Sequence, residues 1–213
     1  MVKTISLIFA FLFFVSCGKS GGGSGSSSST GEAVSLSEIG TDAPVPSAAQ
    51  NFDVNLKLNN FNSTQEDKIL IAGDLIKKVV ATETFKNAIL NYTYNGKKAF
   101  VDNGGLSNAA VYKKIIEGSE SLRHGTDNEM DLDLVAYTAN NSVVGYTLPS
   151  ALKVWMNSKF FNKHTPAEVT ANMMHEWLHK IGFKHAQSKT VSRPYSVPYA
   201  IGYLVARIAK TLD

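Results

Sequence analysis

The sequence predicts an α+β fold in which helices pack against a mixed β-sheet, and two patterns indicate this fold. Residues 53–58 and 130–137 alternate polar and apolar side chains, as half-buried strands do. Other segments carry apolar residues three and four positions apart, which is the spacing of amphipathic helices. Hydrophobic residues make up 44% of the chain, an ordinary content for a globular protein, so wholesale disorder is excluded.

The first part of the folded region is predicted to be mainly helical. Residues 63–66 read Ser-Thr-Gln-Glu, a capping box that opens a helix with apolar residues at helical spacing behind it. A second helical segment covers residues 83–90. A short strand is predicted at residues 99–101, and Ser107 caps a helix that runs through Ile116.

The second part is predicted to contain most of the sheet. The strand at residues 130–137 is followed by a turn at Asn140-Asn141 and by a strand at residues 143–146. Another strand is predicted at residues 153–157, upstream of the helix that carries His175 and His179. Residues 198–212 have apolar side chains at helical spacing and predict an amphipathic helix near the C-terminus.

The N-terminal residues are predicted to be an export signal with a lipid attachment site. A lysine near the start precedes an apolar run of about a dozen residues, shorter than the ~20 that a membrane-spanning helix needs. Phe14-Val15-Ser16-Cys17 resembles the lipobox of bacterial lipoproteins, although Phe14 stands where leucine is usual. This resemblance implies a signal peptide at residues 1–16 and a lipid-modified Cys17. The alternative is an ordinary secretory signal that contains a cysteine.

Residues 17–50 are predicted to be a flexible tether between the lipid-modified Cys17 and the folded domain. Residues 18–31 are nearly all glycine and serine, a composition that behaves as a flexible coil. The predicted domain then covers residues 51–213. We expect the chain to be a membrane-anchored lipoprotein of the outer membrane or cell surface of a bacterium.

Charge and cysteine content exclude several classes of protein. The net charge is only +3 and no basic block stands out, so nucleic acid is not an expected partner, and we expect a monomer. Cys17 is the single cysteine, so a disulfide within one molecule cannot form. Histidines and carboxylates are therefore the residues left to bind a metal ion in the folded domain.

One predicted helix carries a pattern typical of a zinc site. Thr165-Pro166-Ala167-Glu168 combines a capping threonine, a proline at the first helical position and a glutamate three residues after the cap. His175 and His179 follow four positions apart, so they project from one face of the helix and can bind one zinc ion. Glu176 lies next to the first histidine, where it can act as a general base toward water.

Gly182 predicts the end of this helix and a return of the chain toward the metal. Glycine favours the left-handed conformation that often follows a helix, and such a turn would bring His185 to the site as a third ligand. Three protein ligands leave one position open, which is the mark of a catalytic zinc site. The two histidines outside this window, His124 and His164, are predicted to be surface residues.

The segment His175–Glu176–Trp177–Leu178–His179 and its continuation to His185 read HExxHxxGxxH, which resembles the signature of the metzincin zinc peptidases. The resemblance covers eleven residues. It implies a twisted sheet with helices, a zinc helix at the floor of a cleft, and a small C-terminal subdomain that begins after the glycine. It also implies that a strand at the sheet edge pairs with an extended peptide substrate. Residues 153–157 are the candidate for that strand, with residues 143–146 as the alternative.

The sequence departs from the metzincin pattern downstream of the motif. Metzincins place a methionine in a turn beneath the zinc, whereas the segment Tyr195-Ser196-Val197-Pro198-Tyr199 has Pro198 there. This segment is either a variant turn that supports the metal or a loop with no such role. Tyr199 is either a hydroxyl that stabilises the oxyanion, as in some metzincins, or an aromatic side chain that packs the start of the last helix.

The leading functional hypothesis is a zinc metalloendopeptidase that is anchored in the cell envelope and cleaves peptides or proteins. Two alternatives stay open. The first is a lipoprotein with a non-catalytic zinc site, against which Glu176 argues because a structural zinc site needs no base beside its ligands. The second is a zinc amidase that acts on peptidoglycan.

Overall fold

The structure is a computed structural model that describes residues 48–49, 51–123, 125–148 and 150–212. The predicted signal peptide, Cys17 and nearly all of the predicted tether lie outside the described residues, as does His124. Within the described ranges, no helix has both the length and the apolar character that crossing a membrane requires.

A four-stranded mixed sheet forms one layer of the fold. Its strands are β1 (Asp53–Asn59), β2 (Glu129–Tyr137), β3 (Gly145–Thr147) and β4 (Lys153–Asn157). They are arranged in the order β1-β2-β4-β3, with β1, β2 and β4 parallel and β3 antiparallel to β4. The prediction of an α+β fold with a mixed sheet is therefore confirmed.

Three of the predicted strands match the sheet, and the other two need correction. The strand predicted at residues 143–146 begins only at Gly145, because the Asn157 side-chain amide donates to the Val143 carbonyl oxygen at 3.1 Å and holds it outside the strand. The prediction of a strand at residues 99–101 is wrong: Val101 forms a single bridge to Ser196 and no longer ladder.

The position of β4 also corrects the prediction that residues 153–157 line a substrate cleft as an edge strand. Both sides of β4 are paired, one with β2 and the other with β3. A strand whose backbone groups are already bonded on both sides cannot accept a further strand. The free edge at this side of the sheet belongs to β3.

The helices agree closely with the sequence predictions. They are α1 (Ser63–Val80), α2 (Glu83–Leu90), α3 (Asn108–Ile116), α4 (Ser158–Phe161), α5 (Pro166–Lys180) and α6 (Val197–Ala209). The cap of α1 differs from the prediction, because Asn62 and not Ser63 precedes the helix. The Asn62 side chain accepts from the Gln65 amide at 3.0 Å and the Gln65 side chain accepts from the Asn62 amide at 3.0 Å.

Helix α5 is the centre of the core. It packs against α1, α6 and strands β2 and β3, and nearly all of its residues are buried. Trp177 is fully buried and meets the ring of Phe52 edge-on, with ring centroids 6.0 Å apart. A helix that is buried on almost every side has little freedom to move relative to its neighbours. Its side chains are therefore held in fixed positions.

Helix α6 belongs to the same core, which corrects the expectation of a separate C-terminal subdomain. Its apolar residues, including Ile201 and Val205, join one cluster with the apolar residues of α1 and α5. A glycine permits this close packing: a Cβ atom at Gly202 would lie 3.0 Å from the Ala171 carbonyl oxygen and 3.6 Å from the His175 Cβ atom. The backbones of α5 and α6 can approach this closely because position 202 has no side chain.

We expect Gly202→Val to lower the free energy of unfolding by about 2 kcal/mol, because the added methyl groups would meet the backbone of α5. Without that contact, the change would favour the helix, since glycine is a poor helix former. Urea unfolding of the two proteins measures the difference. Ala206→Val, one turn later at a partly exposed position, is the matched control and should change the value by less than ~1 kcal/mol. Equal effects at both positions would contradict the packing argument.

Candidate metal centre

The cap predicted for α5 is present and fixes where the helix begins. The Thr165 hydroxyl accepts from the Glu168 amide at 3.3 Å, and the Glu168 carboxylate accepts from the Thr165 amide at 2.9 Å. Pro166 occupies the first helical position, where its missing N–H costs no hydrogen bond. His175 and His179 then follow one turn apart within the same helix.

The turn predicted at Gly182 is also present. The helix ends at Lys180, and Gly182 adopts a left-handed conformation with φ of +95°. The amide of Phe183 donates to the carbonyl of Leu178 at 3.0 Å, which closes the helix end. The chain reverses there and brings His185 back beside the two helical histidines.

His175, His179 and His185 form a group that could hold a metal ion. One ring nitrogen from each lies within 4.8 Å of the other two. The Nε2 atoms of His175 and His185 are 3.3 Å apart. Two nitrogens bound to one tetrahedral ion at ~2.0–2.1 Å would stand roughly 3.3–3.4 Å apart, so this spacing fits shared coordination.

Backbone carbonyls orient two of the three rings. The Nδ1 atom of His179 lies 2.8 Å from the Phe183 carbonyl oxygen, and Nδ1 of His185 lies 2.9 Å from the Ala186 carbonyl oxygen. A carbonyl oxygen can only accept, so each Nδ1 carries the proton and each Nε2 keeps a free lone pair. The Nε2 of His179 has no hydrogen-bond partner among the described residues.

The segment that departs from the metzincin pattern lies against the third ring. The backbone of Pro198 is hydrogen-bonded to His175. The Tyr199 ring packs on His175 and His185, with centroids 4.5 and 4.8 Å away, and the Arg193 guanidinium lies over the Tyr199 ring, 5.0 Å from its centroid. The segment thus supports the histidines through a carbonyl and a buried ring. The role of Tyr199 in stabilising an oxyanion stays a prediction.

Burial keeps the three histidines neutral. Loss of hydration lowers the pKa of His179 to about 4 and lowers the pKa of His175 and His185 below the ordinary value of 6.5. The mutual repulsion of the three rings, when protonated, acts in the same direction. At neutral pH the rings are therefore unprotonated, which is the form that binds metal ions.

Glu176 is fully buried, and neither of its carboxylate oxygens has a hydrogen-bond partner within the described part of the chain. Burial raises the pKa of Glu176 to about 8, and the nearby Lys180 ammonium opposes this shift. A buried carboxylate without donors is costly and uncommon in folded proteins. Its place next to a metal-ligand candidate makes it a candidate for chemistry.

A cavity of about 440 Å³ opens beside His179 and His185. Leu148, Leu152 and Phe183 supply apolar surface to its walls, and both leucines are more than one third exposed. An apolar cavity next to a group of convergent polar atoms is the usual form of a ligand site.

Sequence reasoning missed a group of polar residues that contacts α5 and lines the same cavity as His179 and His185. The buried Glu120 carboxylate accepts from the Trp177 indole at 2.5 Å and from the Asp131 amide at 3.0 Å. Asp131 is paired in turn with Arg123 at 2.6 Å. Glu120, Asp127 and Asp131 also lie close enough together to hold an ion. The sequence carried no signal for the contact of Glu120 with Trp177, because the two residues are 57 positions apart in the chain.

His164 lies at the surface but is less exposed than the sequence suggested. The side chain is only partly exposed, and burial lowers its pKa. It lies at the start of α5, where the Lys68 ammonium donates to its backbone carbonyl at 2.9 Å. It is not a member of the histidine group.

The chain matches no protein-family model, no curated protein and no solved structure with which it was compared. The candidate metal centre therefore rests on the chain's own residues and their geometry.

We expect Glu176→Gln to stabilise the metal-free protein, and more so at pH 8 than at pH 4.5. Because folding raises the pKa of Glu176 from 4.5 to about 8, the folded state of the wild type loses stability as the pH rises through this window. Glutamine does not titrate in this range. The difference in the free energy of unfolding between the variant and the wild type should therefore grow by on the order of 3 kcal/mol from pH 4.5 to pH 8. Urea unfolding of both proteins in the presence of a chelator measures it. A difference that does not change with pH would show that the carboxylate is not buried as described.

Proposed function

We propose that this protein is a zinc-dependent metalloendopeptidase. The observations that carry the proposal are the convergence of the His175, His179 and His185 ring nitrogens and the buried, unpartnered carboxylate of Glu176, the residue that follows His175 in α5. A metal site with three protein ligands and an adjacent base is the arrangement of catalytic zinc hydrolases. The HExxHxxGxxH motif supports placing the chain near the metzincins.

Zinc is the ion that this donor set suits best. Three neutral imidazoles bind zinc well, and no thiolate or carboxylate joins them in the group. Zinc bound by three protein ligands supplies a Lewis acid that polarises a carbonyl and lowers the pKa of water to near 7. The histidines contribute by holding their Nε2 lone pairs in place, through the carbonyls of Phe183 and Ala186.

Glu176 acts as the general base. Its carboxylate takes a proton from the attacking water and then passes that proton to the amine nitrogen that leaves. Both oxygens are free of hydrogen bonds from described residues, so the carboxylate has no other task in the fold. A pKa near neutrality, raised by burial, suits a group that must first accept and then donate a proton.

A peptide is the substrate that the surroundings favour. Strand β3 leaves one side unpaired at the edge of the sheet, and an extended peptide can add to such an edge through backbone hydrogen bonds. The apolar cavity beside His179 and His185 can take a side chain of that peptide.

A purely structural zinc site is less consistent with the structure, because the protein would bear the free-energy cost of burying the Glu176 carboxylate without using that carboxylate as a base. An amidase would differ from the proposed peptidase in its substrate, since it would cleave peptidoglycan and not a protein.

Glu176→Gln should abolish hydrolysis and leave zinc binding intact. We expect the rate to fall at least ~1,000-fold, since the variant lacks the base but keeps every ligand. The measurement combines zinc content with cleavage of labelled, unfolded casein by the full chain in detergent. Glu83→Gln, at an exposed position in α2, is the matched control and should behave as the wild type.

Two results of this experiment would contradict the proposal. A wild-type protein that holds one zinc ion but cleaves neither casein nor a broad peptide library would favour a structural site. Cleavage of purified peptidoglycan in place of casein would favour the amidase.

We further propose, from the sequence of residues 1–17, that the protein is anchored to a bacterial membrane through a lipid on Cys17. Cys17→Ser removes the thiol that would carry the lipid, so the variant should move from the membrane fraction to the soluble fraction. Immunoblots of the two fractions measure the shift. A variant that stays with the membrane to the same extent as the wild type would overturn the lipobox interpretation.

A further inference from the structure

Lys180, the last residue of α5, is a lysine with its side chain inside the protein. It is only 7% exposed, although it carries an ammonium group. Lysine is among the residues least often fully buried, because its charge is strongly hydrated. The fold must therefore supply partners for it, and these partners indicate what the residue does.

The partners are backbone carbonyls and not a carboxylate. The Lys180 ammonium donates to the carbonyl oxygen of Ala151, and to that of Lys153 at 3.0 Å. Among the described residues, no ion pair of Lys180 with a carboxylate lies within 4 Å. Glu176 and Asp133 lie near enough to favour the charged form of Lys180 without bonding to it.

The Ala151 carbonyl belongs to the short segment between β3 and β4, and the Lys153 carbonyl belongs to the first residue of β4. The segment is a tight turn, in which the Ala151 amide donates to the Leu148 carbonyl at 3.1 Å. The Thr147 hydroxyl, at the end of β3, donates to the same Lys153 carbonyl at 2.9 Å. Lys180 thus contacts the turn at its end and at the start of the next strand.

This turn is also a wall of the cavity beside the metal centre. Leu148 and Leu152 line the cavity together with His179, Lys180 and His185. Lys180 directly follows His179, so the end of α5 carries both a metal-ligand candidate and the hydrogen bonds to Ala151 and Lys153. The Lys180 side chain therefore links this part of the cavity wall to the end of α5.

We propose that Lys180 is a positioning residue that holds the β3–β4 turn and the edge strand β3 at a fixed distance from the metal centre, so that a substrate chain fits between them. The expected effect on substrate binding rests on the proposed function. The role of Lys180 in holding the turn rests only on its hydrogen bonds to Ala151 and Lys153. Lysine suits this role because its long flexible stem passes through apolar surroundings and ends in a compact group with three donors. Lys180 makes no contact with the reacting atoms in this scheme.

The test is Lys180→Met in the full chain, since methionine is similar in length and unbranched but cannot donate. We expect amide hydrogen exchange in residues 145–153 to rise by about tenfold or more, while exchange in α5 stays within about threefold of the wild type. With labelled casein as the probe, KM should rise about tenfold, and by more than kcat falls, because the edge strand that receives the substrate is released. Zinc content should remain unchanged.

Lys153→Met is the matched control. Lys153 is exposed and contributes only its backbone carbonyl to the contact, so this variant should match the wild type in exchange, KM and zinc content. Should Lys180→Met fail to fold, Lys180→Gln is the second variant. Its amide donates but is too short to reach both carbonyls, and we expect a smaller rise in exchange in the same residues.

Several results would overturn the proposal. One is unchanged exchange at residues 145–153, and another is an increase spread evenly over the whole domain, which would indicate a general loss of stability. A fall in kcat with unchanged KM would place Lys180 in the chemistry itself. If the wild type cleaves no casein, the proposed function fails, but the exchange and zinc measurements still decide whether Lys180 holds the turn.

Discussion

The structure depends on one constraint: helix α5 is buried on almost every side and yet carries His175, Glu176 and Lys180, which are all polar. Burial of such groups is tolerated when each has a partner or a task. The histidines have carbonyls and one another, and Lys180 has the carbonyls of the β3–β4 turn. Glu176 is fully buried, and no described residue donates a hydrogen bond to its carboxylate. The rest of the domain can be understood as the packing that makes this arrangement stable.

The packing around α5 depends on the close approach of helix backbones as well as on the burial of apolar side chains. Gly202 lets α6 approach α5 at Ala171, and the same approach brings the Pro198 backbone and the Tyr199 ring onto His175. On another side, the indole N–H of a buried tryptophan donates to Glu120. The candidate metal centre is therefore held by contacts from several elements, which is what a site needs if its geometry is to stay fixed.

Much of the fold and of the candidate site could be predicted from the sequence, because the signals were local. The α5 cap at Thr165, the helix end at Gly182 and the spacing of the histidines each depend on residues within a few positions. The errors arose where long-range pairing decides the outcome. Whether β4 lies at an edge or inside the sheet depends on β2 and β3, and the partners of Lys180 lie 27 and 29 residues away. The spacing of apolar residues along the sequence gives no information about such long-range contacts.

The departure at Pro198 shows why the motif and the downstream turn can vary independently. A residue beneath the ligands need not bind the metal; it has to present a carbonyl to His175 and shape the chain that follows. Proline can do both, since its carbonyl is a full acceptor and its fixed φ suits the first turn of a helix, where its missing N–H is not needed. The ring of Tyr199, at the next position in α6, adds a packing contact on His175 and His185.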